Sequence, residues 1–265
     1  MAITLSAGDE VLIPDPGYTT FTMNAHMLEA VAVPYPLSPD AGFLPDIAKL
    51  ESLVTGRTKV IVINSPSNPL GTVFPKELLV EILEFARRHD LWIISDEVYE
   101  YFAWAEPHLS VAAFDTDNRV LSVFSFSQTY AMTGIRVGYL VTPPGLSATM
   151  RSVQEAAISC VNAPAQFAAI GALTGDQGDV ELAREHYRST GDAAMRLLDE
   201  RGIRYLTPGG AFYLWIDVSF ASGGNVADWA EAFLIAERVA VAPADSGCGL
   251  RGTPEWFSGV SRMPR

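Results

Sequence analysis

Two cysteines and four histidines in 265 residues leave little material for disulfide or metal chemistry. Cys160 and Cys248 stand far apart with no metal-ligand spacing around them, and both read as buried thiols in a reducing compartment. His26, His89, His108 and His186 show no His-x-x-x-His or related pairing, so the common zinc arrangements are excluded. Positive charge is scarce too: 18 Lys and Arg stand against 31 Asp and Glu, a formal net charge of −13. Nucleic acid and anionic membrane both require a positive surface, which excludes them as partners. No apolar stretch approaches the ~18 residues of a membrane span, and no basic-then-apolar leader opens the chain, so a soluble, cytoplasmic protein is expected. Repeats and low-complexity tracts are also missing. What remains is 49% hydrophobic and 18% charged, enough apolar material to bury a substantial core.

That material alternates between two periods. Residues 59–64 form a short β-branched run ending in polar turn residues, as a buried parallel strand does. From Pro75 to Arg88, Leu78, Leu79, Ile82, Leu83, Phe85 and Ala86 mark one helical face. Further strands are read at 91–95 and 120–125. Strands alternating with helices predict an α/β fold, a mostly parallel sheet covered by helices. Helical spacing returns from 146 to 173, interrupted near Ala163-Pro164, and from 180 to 202; residues 247–265 lack periodicity and are expected to be an irregular tail.

Asn68, Asp96 and Gln128 each follow a separate strand. Ligands of open α/β sheets bind outside the carboxyl ends of strands, so these three converge on one crevice. Asp96 supplies a carboxylate there, unless it only caps a helix. Asn68 supplies a carboxamide, unless Asn68-Pro69 is simply a turn. Tyr18 and Tyr99 offer flat, hydrogen-bonding surfaces or ordinary rim packing. Arg136 offers a permanently charged fork for a phosphate or carboxylate, or pairs internally with an acid.

Four segments in order carry a resemblance: Asp15-Pro16-Gly17-Tyr18, the run from Asn64 through Asn68-Pro69-Leu70-Gly71, Ser95-Asp96-Glu97-Val98-Tyr99, and the run from Ser125 through Gln128 to Tyr139. Together they resemble the class I/II aminotransferases, fold-type-I enzymes that use pyridoxal 5′-phosphate (PLP). The resemblance implies an aminotransferase-like large domain over 1–160, truncated at its N-terminus, and a reduced C-terminal small domain over 161–265. It implies that Tyr18 stacks on the pyridine ring, Asp96 pairs with the ring nitrogen, and Asn68 and Tyr99 meet the phenolic oxygen. Ser125, Ser127 and Arg136 fall where the family grips the phosphate. A homodimer is implied as well.

Two positions break the pattern. Where the family has the lysine that forms the Schiff base with PLP and moves the substrate proton, this chain has Gln128. A lysine amine is tuned by burial into a nucleophile and base, whereas a carboxamide is neither. The family arginine that grips the substrate carboxylate matches Ser258. Ordinary transamination is therefore not expected, and no tightly bound PLP is expected. Three classes stay open: an enzyme that reuses the crevice without PLP, with Asp96, Tyr99 and Gln128 performing isomerase, cyclase or lyase chemistry on a small molecule; an enzyme using PLP or pyridoxamine phosphate non-covalently; or a non-catalytic paralogue that binds a protein.

Overall fold

A computed structural model describes residues 1–243 and 256–260 of the chain. A six-stranded sheet is built from β1 (Glu10–Asp15), β2 (Val31–Pro36), β3 (Thr58–Asn64), β4 (Trp92–Asp96), β5 (Val120–Ser125) and β6 (Gly138–Val141), in the order β2-β1-β3-β4-β5-β6. The first five strands run parallel, and β6 returns antiparallel to β5. β3 explains why its sequence is an unbroken apolar run: Val60 and Val62 face one core layer, Ile61 and Ile63 the other, and all four are fully buried. Helices are needed on both faces of such a sheet. α1 (Thr20–Met27) buries Phe21 and Ala25 with the Val60 layer; α2 (Ile47–Leu53) and α3 (Lys76–Arg88) cover the Ile61 layer. Glu77 in the first turn of α3 and Arg87 and Arg88 in its last suit the helix dipole.

A short helix, α4 (Phe126–Thr129), follows β5 directly, and Ser125 Oγ caps it by accepting from the Ser127 N–H. α5 (Ser147–Ile158), α6 (Ala163–Thr174) and α7 (Gly178–Asp199) follow, with the break at 159–162 where the sequence placed it. β7 (Tyr205–Leu206), β8 (Tyr213–Asp217), β9 (Ala242–Pro243) and β10 (Trp256–Val260) form a second, antiparallel sheet in the order β7-β8-β10-β9, with α8 (Ser219–Ser222) and α9 (Val226–Glu237) between β8 and β9. Here 256–260 departs from the expected irregular tail. Its aromatic and β-branched residues suit a strand, and β8 and β9 supply partners on both sides. Cys160 also departs from expectation: it is exposed in the loop between α5 and α6. Cys248 lies outside the described residues, as does the side chain of Ser258.

The two sheets are tied together by main-chain hydrogen bonds. The Gly210 N–H donates to the Gly71 carbonyl at 2.8 Å, Ala211 N–H to Phe102 at 2.7 Å, and Trp104 N–H to Gly209 at 2.8 Å. Arg184 of α7 adds a bond to the Ala103 carbonyl at 2.9 Å. Gly71 allows this approach: its φ is +68°, and a Cβ there would meet the Gly210 carbonyl oxygen at 2.8 Å. An aromatic cluster of Tyr99, Phe102, Tyr187 and Phe212 fills the seam.

Candidate active site

One cavity of about 340 Å³ opens at the carboxyl ends of β3, β4 and β5. It is lined by all eight residues singled out from the sequence: Tyr18, Asn68, Asp96, Tyr99, Ser125, Ser127, Gln128 and Arg136. Asn64, Thr133 and Tyr213 also line it.

Asn64 explains how separate strand ends become one site. It is the last residue of β3 and is buried. Its Nδ2 donates to the Asp96 carbonyl at 3.0 Å, while its Oδ1 accepts from the Asn68 N–H at 2.7 Å. One side chain thus fixes the Asn68 loop to the end of β4. Sequence reasoning took Asn64 as a strand terminator, and only the register, which places it opposite Asp96, discloses the clamp.

Asp96 is held with its carboxylate toward the cavity. The Val98 N–H donates to its Oδ1 at 3.3 Å, and no cation pairs with it among the described residues. Burial, aided by the neighbouring negative charge of Glu97, pushes its pKa up to about 6 although the Val98 bond opposes the rise. Glu97 itself points away from the cavity, bonded to His108 Nε2 at 2.8 Å and Ser110 Oγ at 2.9 Å. Of the two adjacent acids only Asp96 is available to a ligand.

Across the cavity the Tyr99 and Tyr213 hydroxyls bond to each other. Burial raises the pKa of both phenols, so each stays protonated near neutral pH; Tyr213, Gln128 and Asn68 hydrogen-bond Tyr99 and pull against that rise. Tyr213 is 114 residues from Tyr99, and no local pattern signals the pair. Gln128 sits in α4, and its Oε1 is shielded from solvent with no hydrogen-bond partner. A buried acceptor left unmatched costs about 1–3 kcal/mol, so this atom is suited to a donor brought by a ligand.

The far end of the cavity is cationic. Thr133 Oγ1 donates to the Ser127 carbonyl at 3.1 Å, and Arg136 donates to the Thr133 carbonyl at 2.9 Å, which ties the 127–136 loop into one unit. Arg136 adopts φ +61° and is exposed. Among the described residues it makes no ion pair, so the alternative of an internal salt bridge falls away. Tyr18, 46% exposed, stands at the rim with its ring edge-on to Phe21 at 5.8 Å. The chain's three lysines, Lys49, Lys59 and Lys76, are all exposed, and none lines the cavity.

A second cavity, of about 400 Å³, lies between α7 and β8 and is lined by Trp104, Tyr187, Met195, Phe212 and Leu214 among others. It is mostly apolar and carries none of the eight motif residues, sharing only Tyr213 with the first cavity. Among the described residues no group of His, Cys, Asp and Glu is arranged to hold a metal ion, and no helix is long and apolar enough to cross a membrane.

The family model for aminotransferase class I and II matches residues 1–257. The chain is similar to the putative aminotransferase YugH of Bacillus subtilis (strain 168), with 36% identity over 240 residues covering 90% of this chain and 62% of that protein. It is 34% identical over 218 residues to the aspartate/prephenate aminotransferase of Thermus thermophilus, covering 81% of this chain and 56% of the other. Among solved structures, an aspartate aminotransferase of Thermus thermophilus superposes with a TM-score of 0.90 at 32% identity, over 97% of this chain and 66% of that one. The aromatic aminotransferase of Pyrococcus horikoshii OT3 gives 0.90 at 33%, over 97% and 69%. The chain therefore spans about 62% of the length of the first of these curated relatives.

These matches correct the cofactor expectation. The sequence reading anticipated no tightly bound PLP; the matched proteins are aminotransferases, a PLP-dependent class, so PLP is the cofactor to expect. That reading gave too much weight to one lost covalent bond. It gave too little to the eight motif residues, which the fold keeps together in one cavity. The matched proteins also lend nothing to isomerase, cyclase or lyase chemistry.

Proposed function

The chain belongs to the class I and II aminotransferases, and on that premise we propose that its cavity holds PLP or the amine form, pyridoxamine 5′-phosphate, without a covalent link, in amino-group chemistry on a small amino or oxo acid. The observation that carries this reading is the gathering of eight family-type residues in one cavity that contains no lysine.

The donor set fits such a cofactor. Asp96 is a half-buried carboxylate that no cation pairs with among the described residues, suited to accept from a protonated ring nitrogen. Its pKa of about 6 leaves it ionised at neutral pH. Tyr99 and Asn68 would donate to a ring oxygen, Tyr18 would lie against the ring, and Ser125, Ser127 and Arg136 would offer hydroxyls and a guanidinium free of ion pairs to a phosphate. When bound, PLP supplies an electron-withdrawing ring that stabilises charge on the carbon beside a substrate amine.

This chain's own residues then limit the chemistry. Gln128 orients by hydrogen bonding but neither takes up a proton nor attacks a carbonyl. The Tyr99 and Tyr213 phenols remain protonated and act as donors, not bases. Loss of a positioned base costs about 10²–10⁴ in rate, so turnover is slow relative to a lysine-bearing enzyme. Matched proteins named aspartate or aspartate/prephenate aminotransferase make dicarboxylic amino and oxo acids the first substrates to try. A homodimer in the cytoplasm is the proposed setting, supported by the exposed apolar residues Phe167, Ile170 and Leu173 on α6. Calorimetric titration with each vitamer tests the central claim. Saturable one-to-one binding abolished in Arg136→Ala is expected, and the lack of saturable binding of either vitamer would refute it.

A further inference from the structure

We propose that Gln128 makes the cavity select the amine form, pyridoxamine 5′-phosphate, over the aldehyde form, PLP. The inference rests on the reading that the cavity takes this vitamer, and it concerns one atom. Gln128 Oε1 is shielded from solvent and has no hydrogen-bond partner, while its neighbours Tyr99 and Tyr213 already satisfy each other. An amide oxygen only accepts hydrogen bonds. With the amide nitrogen turned to the Tyr99 oxygen, Oε1 is the end left for a ligand; it is matched by a group that brings N–H and left unmatched by one that brings only a carbonyl oxygen.

The two vitamers are identical at the ring nitrogen, the ring hydroxyl and the phosphate. Asp96, Tyr99, Asn68, Ser125, Ser127 and Arg136 therefore hold both equally, and discrimination is confined to the group on the 4′ carbon. There the aldehyde offers an acceptor and the aminomethyl group offers N–H donors. In a lysine-bearing site the aldehyde would win through a covalent bond. Here that advantage is gone, because the nitrogen lone pair of a carboxamide is delocalised and does not add to an aldehyde. Nor does another amine replace it, since Lys49, Lys59 and Lys76 all lie exposed and away from the cavity. With the covalent contribution removed, the hydrogen bond to Oε1 decides, and satisfying a buried acceptor is worth about tenfold in affinity.

The test is calorimetric titration of the purified protein with pyridoxamine 5′-phosphate and with PLP, for the natural chain and for Gln128→Leu and Gln128→Glu. Borohydride trapping with peptide mapping runs alongside, so that adducts on the exposed lysines are separated from binding in the cavity. Pyridoxamine 5′-phosphate is expected to bind about tenfold more tightly than PLP in the natural chain. Gln128→Leu should bring the two affinities together, and Gln128→Glu, which keeps an acceptor and adds charge, should widen the gap. PLP binding as tightly as the amine form, or a preference that survives Gln128→Leu in a folded protein, overturns the inference while leaving the cavity reading intact. Failure of both vitamers to bind removes the cavity reading, and this inference with it.

Discussion

Replacing Asp96 by asparagine should make the unliganded protein more stable while it ruins vitamer binding. The carboxyl is carried from an ordinary 3.8 to about 6, chiefly by burial, which disfavours the anion by about 3 kcal/mol at neutral pH. Solvent reaches it through the cavity mouth, so the realised gain from a neutral amide is about 1–2 kcal/mol. The sign follows from linkage: a carboxyl whose pKa is higher in the folded state stabilises fully below its unfolded pKa and loses that contribution as pH rises through the folded value. Asp96→Asn should therefore match the natural protein below about pH 4 and gain between about pH 4 and 6. Above that window the advantage should stay constant. Urea unfolding followed by circular dichroism at pH 4, 5, 6 and 7.5 reads this directly, with calorimetry for affinity. An equal loss of stability at every pH would refute the reasoning, since it would make Asp96 a structural acceptor for the Val98 N–H and not a carboxylate kept for a ligand.

Asn64→Ala removes bonds to the Asp96 carbonyl and the Asn68 N–H; it should cost about 2–3 kcal/mol in chemical denaturation and weaken vitamer affinity, because the Asn68 loop is no longer fixed. Gln128→Lys should acquire a borohydride-stable PLP adduct at position 128, detected by mass spectrometry, that the natural chain lacks. If the exposed apolar face of α6 is a contact between copies, sedimentation at micromolar concentration should give a species of twice 28.7 kDa, and Phe167→Glu should return it to that mass.

Much of the fold was readable because its elements obey local rules. The β-branched run at 59–64, the one-sided face of α3 and the break before Pro164 each declare themselves within a dozen residues. The strand-end rule alone gathered Asn68, Asp96 and Gln128. What escaped were relations between distant parts. The Tyr99–Tyr213 bond joins two sheets, the Asn64 clamp depends on register, and β10 exists because β8 and β9 offer it edges. Cys160 was misjudged because thiols are usually buried, whereas this one sits exposed in the loop between two helices.

The stitch between the sheets at Gly71, Phe102 and Gly209 has a kinetic corollary. Swinging the second sheet away from the first would break three main-chain hydrogen bonds and the Arg184 bond at once, and it would pull apart the Tyr99–Phe212 packing. That wall of the cavity is a weld, not a hinge. Exchange between the cavity and solvent is then expected beside Tyr18 at its rim, an exposed ring that moves as exposed side chains do, in picoseconds to nanoseconds. Release of a bound molecule is then timed by how strongly the cavity holds it, not by a slow gate.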